Sequence, residues 1–143
     1  MKFLLMLFLI FSFSNFKAIA QTTVSFPDIG VCEAILIDYD NLPDKYKMGR
    51  YDLTVKDIIM AEEILKRDIK TSDLNLNKMK RQYAGYINNE GEPCIIINLI
   101  NSKKLSKRFL MQWNNVFVSG NGGIHEYIVS YCINLKSNII FTN

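Results

Sequence analysis

The 143-residue chain carries 17 basic and 14 acidic side chains, three cysteines and one histidine. That length fits one domain behind a leader, and nearly balanced charge lacks the concentrated basic face that nucleic-acid binding needs. A lone His125 and three cysteines (Cys32, Cys94, Cys132) with no C-x-x-C spacing argue against a zinc site.

The N-terminus reads as an export signal. Lys2 supplies a positive start, Phe3 to Phe13 run apolar apart from Ser12, and Ala18-Ile19-Ala20 has the small-x-small form read by signal peptidase. The expected cut lies between Ala20 and Gln21, with residues 1–20 as signal peptide and residues 21–143 as a single domain. The apolar run is well short of the roughly 20 residues a spanning helix needs, so no stable membrane insertion is expected after cleavage. The expected address is secreted or periplasmic. Lys2 and Lys17 leave with the signal, so the mature balance is 15 basic against 14 acidic side chains. Lys103, Lys104, Lys107 and Arg108 cluster, and are read as a solvated loop.

Along the mature chain, Gln21 to Gly30 forms a lead-in and Cys32 to Tyr39 a first strand. Asn41 to Tyr51, with Pro43 and Gly49, is a loop. Thr54-Val55-Lys56-Asp57 has the form of a capping box. Behind it Ile58, Ala61, Leu65 and Ile69 recur at helical spacing, which predicts a helix over 55–69. Residues 71–80 are expected to be irregular. Residues 82–88 and 93–100 then read as a hairpin around Asn89-Glu90-Gly91-Glu92. Asn101 to Arg108 is a charged connection, and Phe109 to Val118, with Trp113, reads as a further strand. A glycine-rich turn at Ser119 to Gly123 leads to a strand over 124–134, and 138–142 is the last strand. The expected fold is α+β: one main helix packed on an antiparallel sheet of four to five strands.

That order resembles the cystatin-like group of folds. The segment Arg81-Gln82-Tyr83-Ala84-Gly85-Tyr86-Ile87-Asn88, followed by a turn, Trp113 and the glycines at 120–123, is also similar to small exported bacterial proteins of unknown function. The resemblance spans about residues 50–143 and implies a fold and an address. Cystatins use a Q-x-V-x-G hairpin tip and a later Pro-Trp pair; here Gln82 to Gly85 is one residue short and Gln112 precedes Trp113.

Chemistry is sparse. His125 and Cys132, seven residues apart on one expected strand, would lie roughly 20 Å apart. The pairs Asp38/Asp40 and Glu62/Glu63 read as solvated faces. Cys94 and Cys132 are a candidate disulfide across the sheet, with three buried unpaired thiols as the alternative. Tyr86, Trp113, Phe117 and Tyr127 fall on expected strands, where alternation turns some away from the helix as a candidate binding surface. The expected function is an exported, non-enzymatic binding or interaction domain without cofactor, whose partner is an unidentified envelope or extracellular protein. The alternatives are a cystatin-like cysteine-protease inhibitor using the tip at Asn89 to Glu92, and a small thiol-dependent enzyme using Cys94 or Cys132 with His125.

Overall fold

A computed structural model describes residues 23–26, 31–69, 76–113, 116–118 and 128–141. The helix forms where its signals stand. Thr54 Oγ1 accepts from Asp57 N at 3.2 Å, and the Asp57 carboxylate accepts from Thr54 N at 2.8 Å, so both halves of the capping box are made. From there α1 runs Val55–Asp68, with Ile58, Ala61, Ile64 and Leu65 buried on one side and Lys66 and Arg67 in its last turn, where cations suit the helix dipole.

The strands are β1 (Thr23–Phe26), β2 (Val31–Leu36), β3 (Lys80–Ile87), β4 (Pro93–Ile100), β5 (Ile128–Asn134) and β6 (Ile139–Phe141), and they lie in one sheet in chain order. The fold is α+β, but the sheet is mixed, which corrects the antiparallel expectation. β2 pairs with β3 in parallel, Ala34 opposite Arg81 and Leu36 opposite Tyr83, while the other four pairings are antiparallel. Parallel neighbours need a crossover of a dozen or more residues. Here the chain between β2 and β3 supplies it, with α1 as its main element.

Alternation divides the sheet into two buried faces. One packs Ala34, Tyr83, Ile95, Ile97, Leu99 and Ile133 against Ile58, Ala61, Ile64 and Leu65 of α1. The other carries Ile35, Ala84, Tyr86, Cys94, Ile96 and Cys132, and is not open: Leu42, Tyr46, Leu105, Phe109, Trp113 and Val118 from two connecting segments cover it.

That cover explains a second correction. Residues 109–118 hold no strand in their described part. Ser106 caps Phe109 N at 3.2 Å, starting a one-turn helix α2 (Lys107–Leu110) that passes into turns through Trp113. Side chains take up the backbone groups that a sheet ladder would have used. Gln82 Nε2 donates to the carbonyls of Trp113 and Val116, Gln82 Oε1 accepts from Val118 N, and Asn98 Nδ2 donates to the Val118 carbonyl. Both amides are fully buried, on β3 and β4.

Glu62 is a third correction. It is not solvated but 0% exposed, and its carboxylate takes Arg81 Nε at 2.9 Å and the Tyr83 hydroxyl at 2.8 Å. Arg81 Nη1 donates to the Met79 carbonyl at 2.8 Å. A buried charge persists only when paired and hydrogen-bonded in this way. Gly85 has an equally local cause. Residues 51–53 run over β3 here, and a Cβ at 85 would meet the Tyr51 carbonyl oxygen and the Leu53 side chain inside contact distance.

Candidate cleft at the hairpin tips

The second face ends in a cleft of about 600 Å³, a volume ordinary for a ligand site. Its floor is aromatic. Tyr46, in the turn Asp44–Tyr46, sets its ring edge-on to Tyr86 of β3, with centroids 5.1 Å apart, and edge-on to Phe117 at 5.9 Å. Lys45 Nζ lies 4.8 Å from the Tyr46 ring centre. Phe141 of β6 lines the other side.

The polar wall comes from two turns that brace each other. Asn88 Oδ1 accepts from Glu90 N at 3.0 Å and Glu92 N at 2.9 Å, while Gly91 takes φ of 77° to close the β3–β4 turn. Asn134 Oδ1 accepts from Lys136 N at 2.9 Å and Ser137 N at 3.0 Å. Glu92 joins the turns, accepting from Asn134 Nδ2 at 2.5 Å and Lys136 Nζ at 2.9 Å. The bond from Lys136, followed by that from Asn134, holds the Glu92 carboxyl below the usual carboxylate range. The lips are apolar and open: Met48 is 62% exposed and Ile139 is 60% exposed.

The four residues expected to bind do not form an exposed aromatic patch. Tyr86 is 5% exposed and belongs to the cleft floor, and burial raises its hydroxyl well above the ordinary range. Phe117 is half-buried and meets the Tyr46 ring edge-on, but does not line the cleft. Trp113 is buried away from the cleft, under Lys80, whose Nζ lies 4.8 Å from the ring centre. Tyr127 lies outside the described residues, as do His125, the glycines at 120–123 and the cleavage pair Ala20 and Gln21.

Cys94 and Cys132 are both buried, and no disulfide joins them. The register gives the reason. Cys94 stands opposite Asn134, and Cys132 opposite Ile96, which makes the two thiols diagonal neighbours on one face. Diagonal pairs lie roughly 7–8 Å apart, beyond the usual Cα span of a disulfide. Burial is also the main cause that raises both thiols, Cys132 to about 11. A thiol nucleophile works as thiolate, and this environment disfavours it.

Lys45, Tyr46 and Met48, which line the cleft, read in the sequence only as part of the loop from Asn41 to Tyr51. An aromatic at 46 within a polar stretch was the available signal. Among the described residues no cluster of three or more His, Cys, Asp or Glu could hold a metal, and no helix is long and apolar enough to cross a membrane. No protein-family model, curated protein or solved structure matches this chain.

Proposed function

We propose that the chain is an exported, non-enzymatic interaction domain that holds an envelope or extracellular protein partner in the cleft between Met48 and Ile139. The observation that carries the reading is the cleft itself: an aromatic floor, a braced polar wall and two exposed apolar lips. Exposed apolar groups rimmed by polar ones are the chemistry of partner surfaces. Export rests on the leader at 1–20. The cystatin-like resemblance belongs to the same proposal: a helix ahead of a four-stranded meander is the shared feature, and the parallel β2–β3 joint is the departure.

The test is capture on immobilised residues 21–143 from the envelope and medium of the source cell, run beside Met48→Asp. One protein retained in near-stoichiometric amount by the native domain and lost by Met48→Asp supports the reading. Nothing retained, or equal retention by both, overturns it. A captured cysteine protease that is inhibited would move the assignment to the inhibitor alternative.

A further inference from the structure

We infer that the segment around α2 docks on an anionic lipid bilayer, with Met111 among the headgroups and Lys107 and Arg108 against the phosphates beside it. This surface is not the cleft, and the inference stands without the reading given to the cleft. Two observations carry it. First, the segment has two unlike sides. Leu110 N donates to the Ser106 carbonyl at 3.1 Å, Met111 N to Lys107 at 3.1 Å and Trp113 N to Phe109 at 2.9 Å, so α-type turns run from Ser106 to Trp113. At about 100° per residue, Phe109 and Trp113 fall on one side, and both pack on the covered sheet face. Met111 falls on the opposite side and is 77% exposed. Lys107 and Arg108 flank it, and both are exposed. An apolar group that points outward between cations is the chemistry of a helix lying at a membrane interface. Val116, whose N–H donates to the Gln112 carbonyl at 3.2 Å, adds a second exposed apolar side chain to the segment.

Second, charge is segregated along the chain. From Pro93 to His125 the sequence holds Lys103, Lys104, Lys107 and Arg108 and no acidic residue. Taking these four from the 15 basic side chains of residues 21–143 leaves 11 against 14 acidic ones. The nearly neutral domain is therefore a net acidic body with one basic segment, and a negatively charged surface meets it segment first. The exposed apolar side chains decide which anionic surface it is. A soluble polyanion offers only charge to Met111 and Val116, whereas a bilayer places an apolar layer behind its phosphates. The segment follows the end of β4 at Ile100, and the turn that walls the cleft precedes the start of β4 at Pro93.

The experiment is cosedimentation of residues 21–143 with vesicles of phosphatidylcholine alone and of phosphatidylcholine mixed with phosphatidylglycerol, at low and at physiological salt. The expected result is binding to the mixed vesicles only, weakened by salt as charge attraction is screened. Lys107→Glu with Arg108→Glu should lower the partition coefficient at least tenfold, and Met111→Asp several-fold. Lys47→Glu with Lys56→Glu changes the net charge equally at exposed positions elsewhere, and should lower it less than twofold. All five positions are exposed, so the variants keep the core intact. The same proteins are titrated with inorganic polyphosphate. No sedimentation with the mixed vesicles, or equal losses in the two charge pairs, overturns the inference. Met111→Asp that binds vesicles like the native domain also overturns it, and with tight polyphosphate binding it makes the segment a site for soluble polyanions instead.

Discussion

Cys132 has no exposed surface and shares its surroundings with Tyr86, Cys94 and, farther off, Lys45. Its thiol, ordinarily near 9, is raised to about 11, first by burial. The sign for stability follows from which state keeps the proton. The unfolded chain gives it up near pH 9, and the folded chain retains it to about pH 11. The thiol's contribution is therefore complete below pH 9 and is lost as the pH rises through 11. A shift of this size corresponds to at most about 3 kcal/mol. Tyr83 and Tyr86 are raised by burial as well and push in the same direction above about pH 10. Urea midpoints should thus fall between pH 9 and pH 11. In Cys132→Ala the fall should be shallower by up to one proton's worth of slope, whatever the variant's stability at pH 7. An unchanged slope would assign the titration to Cys94 and the tyrosines.

At the scale of elements, α1 starts at a turn closed by its capping box. Its N-cap lies at the end of the segment that crosses β3 at Gly85, so the entry angle of the helix and the path over the sheet are set within a few residues. Tyr51 reinforces the joint by donating from its hydroxyl to Asp57 at 3.2 Å. Thr54→Ala removes the side-chain acceptor for Asp57 N, and should cost about 1 kcal/mol. Urea unfolding would read this as a lower midpoint with an unchanged slope. A loss well below a few tenths of a kcal/mol would mean that tertiary packing alone sets the helix start.

Across the whole molecule, the sheet has two unlike covers. The helix side is sealed by apolar packing with one buried ionic cluster at Glu62, Arg81 and Tyr83. The opposite side is covered by irregular chain, fastened through Gln82 and Asn98. Gln82→Leu removes one acceptor and one donor that together hold Trp113, Val116 and Val118, and each lost buried hydrogen bond costs on the order of 1–3 kcal/mol. Hydrogen exchange at the Val118 amide should accelerate tenfold or more, while the α1 amides change little, because regions of low local stability open separately. Equal acceleration in α1 would show that the two covers open together.

The sequence by itself determined the elements whose signals are local. The capping box and apolar period of α1, and the hairpin of β3 and β4 around Asn89 to Glu92, could be read because neighbouring residues carry the energetic preference. Tertiary structure decided the rest. The parallel joint of β2 to β3 depends on where the chain returns after α1. The Phe109 to Val118 run reads as a strand, yet buried amides on β3 and β4 bind its backbone instead. Glu62 looks like a solvated carboxylate until Arg81 and Tyr83 arrive from 19 and 21 residues away. The cleft draws on Lys45 to Met48, Asn88 to Glu92 and Asn134 to Phe141, and no local pattern within any one of these segments specifies its distance from the others.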